Sequence, residues 1–169
     1  KGPSTESIEA PDHCPSCNEQ SIRQIDGQIA FQCINPNCPA QIKEKIKHFC
    51  SKNAMDIEGL GDAIVDQLLQ KGHIQTVADL YKLTRDDLIK LDRFAEKSTE
   101  NLLSAIRASK TKPFANILFA LGIPFIGEVS ARLIADHYPT FESLTSATEN
   151  HLMAIDQVGP KIVDTLHNT

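Results

Sequence analysis

Hydrophobic positions change their rhythm along this chain. As far as Cys38 they are sparse, and they alternate around Ile25-Asp26-Gly27-Gln28-Ile29, where Gly27 marks a turn between two short strands. From Pro39 the period becomes helical. Pro39 suits a first helical turn, and Ile42, Ile46 and Phe49 fall on one face. Beyond them the pattern repeats. The windows Gly59-Leu60-Gly61, Arg93-Phe94-Ala95, Phe125-Ile126-Gly127 and Gln157-Val158-Gly159 share one frame, with apolar centres 34, 32 and 32 positions apart. Even spacing of this kind marks a repeated supersecondary unit.

The flanking positions obey the same frame. Three and six residues before the centres stand Ile57 and Ala54, Leu91 and Leu88, Ile123 and Ala120, Ile155 and Leu152. Five residues after them stand Val65, Thr99, Ala131 and Val163, all small or β-branched. Each unit therefore reads as a helix, a tight hairpin and a second helix, near 54–70, 88–107, 120–136 and 152–167. The apolar centre plugs the hairpin, and the small residue lets the helices approach. One such unit cannot bury its apolar face alone, so the four are expected to pack as two pairs.

The hairpins also carry candidate chemistry. Around Gly61, Gly127 and Gly159 the chain is expected to turn sharply through positive φ and open a helix whose first amides point outward, the glycine also removing the side chain that would block a ligand. Such amides, with the positive end of the helix dipole, form a phosphate site. Asp62, Glu128 and Pro160 occupy first-turn positions, and Lys97 and Lys161 follow close behind. The first hairpin also has Gly59; the second has Arg93 and Ala95 instead of glycines, with Arg93 placed to reach a phosphate. The residues expected to meet a nucleic-acid backbone are thus Gly59, Gly61, Asp62, Arg93, Lys97, Gly127, Glu128, Gly159 and Lys161. Such a grip ignores base sequence.

Four of the five cysteines lie in the first 38 residues. Cys14 and Cys17, then fifteen residues, then Cys33 and Cys38 make two close-spaced pairs able to share one tetrahedral metal ion. Pro15 and Pro36 stiffen these knuckles, and Asn35-Pro36-Asn37 is turn-rich. So small a segment has too little apolar material to fold alone, which makes zinc a structural element, and four protein ligands leave no open position for catalysis. Cys50 is expected to be a buried free thiol, and His13 and His48 to be surface or packing residues.

Composition narrows the picture. Hydrophobic residues make up 41% and charged residues 23% of 169, a soluble globular balance, and no apolar run is long enough to span a bilayer. The net charge of −5 opposes binding to nucleic acid through bulk positive charge. Contact through backbone amides answers that objection. Lys43, Lys45, Lys47 and Lys52 form a basic cluster that suits either a solvated helix face or a phosphate contact. The chain opens on Lys1, which reads as a piece of something longer, and no Ser/His or Cys/His catalytic constellation emerges.

With these residues in view the chain resembles bacterial NAD-dependent DNA ligases over nearly all its length. The resemblance rests on Cys33-Ile34-Asn35-Pro36-Asn37-Cys38-Pro39-Ala40-Gln41, Met55-Asp56-Ile57-Glu58-Gly59-Leu60-Gly61, Glu96-Lys97-Ser98, and Ala120 through Glu128. It implies a mainly α fold: a linker from an oligonucleotide-binding domain (1–12), a small four-cysteine zinc finger with a short β-hairpin and a connecting helix (13–50), and a domain of four helix-hairpin-helix motifs (51–169). It further implies nicked duplex DNA as partner. Upstream adenylation and oligonucleotide-binding domains and a downstream BRCT domain would complete a monomeric, cytoplasmic, nucleoid-associated enzyme of replication and repair. NAD and Mg would serve that enzyme without binding this stretch, in which no residue is expected to be catalytic. Two other readings compete: a tandem-hairpin module of a repair nuclease or branch-junction protein, and a protein-interaction adaptor indifferent to the hairpin glycines.

Overall fold

The computed structural model describes residues 11–20, 22–24 and 31–168. The turn expected at Gly27, and all but the last two residues of the expected 1–12 linker, lie outside them. The chain divides into two compact units, 1–44 and 45–169. The resemblance implies a boundary at 50/51. The division falls earlier because helix α1 (Pro39–Cys50) crosses it, and the second half of α1 carries buried Ile46, Phe49 and Cys50 that belong to the helical unit.

The first unit is built on turns. Strands β1 (Ile22–Gln24) and β2 (Phe31–Cys33) pair antiparallel with Ile22 opposite Cys33, the short hairpin expected. Before them the Asn18 amide donates to the Cys14 carbonyl and the Cys14 amide to the Glu19 carbonyl, with Asn18 at φ 56. After them the Asn35 side chain accepts from the Asn37 amide at 2.9 Å, the local bond that makes this stretch turn-rich.

The second unit is mainly α. After α1 come α2 (Asp62–Gln70), a 3₁₀ turn over Val77–Lys82, α3 (Arg85–Leu88), α4 (Glu96–Ser109), α5 (Phe114–Ala120), α6 (Glu128–His137), α7 (Phe141–Thr145), α8 (Glu149–Met153) and α9 (Pro160–His167). The repeat frame is its core. Ala54, Leu88, Ala120 and Leu152 are buried, as are Ile57, Leu91, Ile123 and Ile155, and Val65, Thr99, Ala131 and Val163. Of the four centres, Ile126 and Val158 are buried while Leu60 and Phe94 are half-buried. Each second helix opens in the same way, the c+5 amide bonding the c+1 carbonyl, c being the apolar centre: Val65 to Gly61, Thr99 to Ala95, Ala131 to Gly127, Val163 to Gly159.

The first repeat departs from the frame at its beginning. Ala54 lies in a turn rather than a helix, and the Met55 and Ile57 amides donate back to Phe49 and Cys50. The end of α1 thus serves as the first helix of that unit, and polar Ser51-Lys52-Asn53 supplies the extra turn.

The expected pairing is observed, with links beyond it. Ile123, Ile126, Ala131, Ile155, Val158 and Val163 join one apolar cluster between the third and fourth hairpins. In the first pair, the Gln67 side chain clasps the Asp92 backbone in both directions, accepting from its amide at 2.7 Å and donating to its carbonyl at 3.4 Å. Asn116 donates to the carbonyls of Asn53 and Ala54, tying α5 to the first hairpin. His48 is a packing residue, its ring edge-on to Phe119 with Nε2 2.9 Å from the Phe119 carbonyl. At Gly122, φ is 63, and an added Cβ would stand 3.3 Å from that imidazole, so both backbone and space favour glycine.

One core position is poorly matched. Thr99 is fully buried and its hydroxyl has no hydrogen-bond partner, whereas the same frame position holds Val65, Ala131 and Val163 elsewhere. Thr99→Val removes a buried unpaired hydroxyl at nearly constant shape. It is expected to raise unfolding free energy by about 1 kcal/mol, measured by urea denaturation. A loss of stability would mean that the hydroxyl is satisfied in solution.

Candidate nucleic-acid interface and metal site

The four repeats converge on one backbone geometry. The residue before each centre is left-handed: Gly59 at φ 97, Arg93 at 60, Phe125 at 68 and Gln157 at 62. The expectation of positive φ at Gly61, Gly127 and Gly159 is corrected here. These residues, with Ala95, are the N-caps of α2, α6, α9 and α4, and all are extended with φ between −70 and −97. The turn is made two residues earlier, where only the first repeat uses glycine. Gly59 is thus accounted for by its own backbone.

Why the caps are glycine then needs another reason. A Cβ added at Gly61, Gly127 or Gly159 would meet nothing within 4 Å. Neither positive φ nor internal packing calls for glycine at these three sites; glycine is a favoured N-cap residue, and its missing side chain leaves room for a ligand. The capping pattern agrees. Of the helices away from the tips, α3, α7 and α8 are capped by Thr84, Thr140 and Thr148, which accept from the amides of Asp87, Ser143 and His151, while α5 starts after Pro113 with no side-chain cap. At the tips no side chain caps α2, α4, α6 or α9. A helix start without a side-chain cap suits an anion at its first-turn amides; α9 opens on Pro160, which has no amide hydrogen, so its first amide is that of Lys161.

The remaining candidates divide by role. Gly61, Asp62, Arg93, Lys97, Gly127, Glu128 and Lys161 are exposed, and Gly159 is half-buried. Asp62 and Glu128 do not offer free carboxylates: Lys47 lies 3.2 Å from Asp62, while Arg132 and Asn53 hold Glu128 at 3.2 and 3.1 Å. They can meet an anion through backbone amides with their side-chain charge offset. Of the basic cluster, Lys47 and Lys52 line one shallow concavity with Gly59 and Gly61. The Gln67–Asp92 clasp holds the second hairpin beside α2, and the Lys161 ammonium stands 5.7 Å from the Phe125 ring, joining the third and fourth tips. Phe125 was not among the sequence candidates. Its left-handed position is filled by four unlike residues, so only the Gly59 member carries a sequence signal.

The four cysteines form a second site. Cys14 and Cys38 Sγ are 3.8 Å apart, Cys17 and Cys33 Sγ likewise, and all four lie within 4.8 Å of one another. Tetrahedral ligation at the usual zinc–sulfur length of about 2.3 Å sets sulfurs about 3.8 Å apart, so the residues fit a zinc ion. A disulfide would need about 2.05 Å. The Glu19 backbone amide lowers the Cys17 thiol to about 6, favouring the thiolate that ligates metal. Cys50 is separate: burial pushes its thiol up to about 12, as befits an inert packing residue. Among the described residues no helix is long and apolar enough to cross a membrane.

Known families match both halves of the helical unit. Residues 51–108 match the model described as a SAM-like helix-hairpin-helix tandem, and 116–169 the model described as a helix-hairpin-helix motif. The DNA ligase of Bacillus subtilis is 47% identical over 91% of this chain, and that of Bacillus licheniformis 47% over 92%. The DNA ligase of Anoxybacillus flavithermus is 45% identical over 95% of it. The chain spans 23%, 23% and 24% of those relatives' lengths. These matches fit a fragment of a bacterial DNA ligase, a stretch about a quarter of those relatives' length that carries a four-cysteine cluster and tandem helix-hairpin-helix units.

Proposed function

We propose that this chain is the part of an NAD-dependent DNA ligase that grips nicked duplex DNA by its backbone, without catalytic residues of its own. The geometry shared by the four tips, a left-handed residue before each apolar centre and an extended N-cap without a side-chain cap after it, carries this reading. At the tips, amides at the helix starts and the positive dipole end receive phosphates, Gly61, Gly127 and Gly159 let the strand approach, and Arg93, Lys97 and Lys161 add charge. Gly59 supports the first turn rather than the contact itself. Four repeats in two pairs spread this grip along the duplex, which holds the nick ends in line for reaction.

Cys14, Cys17, Cys33 and Cys38 hold one structural zinc ion, which fixes the first unit. NAD and Mg are handled by other parts of such an enzyme, its adenylation and oligonucleotide-binding domains, with a BRCT domain completing a monomer that works on nucleoid DNA in the cytoplasm. The test uses a full-length ligase carrying this stretch with Gly61→Asp, Gly127→Asp and Gly159→Asp together. Self-adenylation by NAD should persist while joining of nicked duplex falls by roughly a hundredfold or more, on the scale of three lost phosphate contacts. Undiminished joining would remove the tips from the DNA-binding surface.

A further inference from the structure

The third tip differs from the other three. Phe125, in the hairpin turn, is 64% exposed, and Val129, four residues on in the first turn of α6, is 55% exposed. Phe125 also holds φ 68, a left-handed backbone that a bulky aromatic adopts only against strain. The matching residues Gly59, Arg93 and Gln157 have no side chain or a polar one. Phe125 is absent from the apolar cluster that the third hairpin builds with the fourth. The tip therefore keeps a strained backbone and a solvated aromatic that its own core does not use. The ring is flanked by a charge: the Lys161 ammonium of the fourth tip lies 5.7 Å from its centroid.

We infer that Phe125 and Val129 form an apolar platform for deoxyribose, making the third tip a sensor of DNA against RNA. The inference rests on the proposed backbone grip. Phe125 lies two residues before the Gly127 cap, so its Cα is at most about 7 Å from that of Gly127. Next to a phosphate seated there, the apolar part of the backbone is the adjoining sugar. A deoxyribose offers a C2′ methylene to the ring, whereas a ribose would bury its 2′-hydroxyl against carbon with no partner. Lys161, beside the ring, is placed for a flanking phosphate.

The test compares the 169-residue chain with its Phe125→Asn and Val129→Ser variants on a DNA duplex and a DNA–RNA hybrid of the same sequence. Asparagine tolerates left-handed backbone better than phenylalanine, and far-ultraviolet circular dichroism checks that the fold is kept. Either variant should lose about five-fold in affinity for DNA and much less for the hybrid, with an unchanged salt slope. The hybrid's altered helix form affects parent and variant alike, so the change in preference isolates the side chain. Equal losses on both duplexes, or no loss on DNA, overturn the sugar contact while leaving the grip intact. Failure of the unmodified chain to bind DNA at low salt overturns the grip and this inference together.

Discussion

Replacing Cys33 with serine is expected to release the bound zinc and unfold the first unit while the helical unit stays folded. Among the described residues of 1–44, the buried apolar side chains are Cys14 and Cys38. The four-cysteine cluster thus supplies the buried side chains among those described, beside two strands of three residues each. Structural zinc contributes on the order of 10 kcal/mol to such small folds at neutral pH, far more than these strands supply. The expected result is a zinc-to-protein ratio near one in the parent chain and near zero in the variant, with new proteolysis in the first unit. Helical circular dichroism should change little, because the core of the second unit comes from the repeat frame. Full zinc retention by Cys33→Ser would show that another group supplies the fourth ligand.

Gly127→Asp separates binding from folding because the two effects have opposite signs. Gly127 is extended at φ −85 and ψ 178, a conformation aspartate adopts readily, and its added Cβ meets nothing within 4 Å. Aspartate is also a favoured N-cap, so the variant is expected to gain about 0.5–1 kcal/mol of stability. The same carboxylate would occupy the α6 amides and repel a phosphate there. Affinity for duplex DNA should therefore fall about tenfold or more, with a salt slope shallower by about one unit. A glycine kept for folding would give the reverse result, a less stable protein whose folded fraction binds normally.

The amount legible in the sequence differed from element to element, for physical reasons. The repeat frame was readable because its buried positions are apolar or small in all four units, and all of them lie in the core. The cysteine pairs were readable because ligand spacing is a property of the chain itself. The left-handed residue of each tip was not, since its backbone is imposed by the hairpin while Gly59, Arg93, Phe125 and Gln157 share no chemistry. Of the two reasons that single out the glycines after the centres, positive φ does not hold, while an added Cβ there meets nothing within 4 Å, which leaves room for a ligand. The reach of the helical unit into α1 was hidden as well. The helical period runs unbroken through Glu44 and Lys45, so nothing local marks the division there. Links such as Asn116 to Asn53 and His48 to Phe119 join residues 63 and 71 positions apart and leave no periodic trace.

The central claim is that bare helix starts at the hairpin tips hold duplex DNA by its backbone. Its most direct test is equilibrium binding of the zinc-loaded chain to nicked duplex, intact duplex and single strand, followed by fluorescence anisotropy across a salt series. Duplex binding indifferent to base sequence, with an affinity that falls linearly against the logarithm of salt concentration, is the predicted result. Binding unaffected by salt, or no duplex binding at low salt, would contradict it.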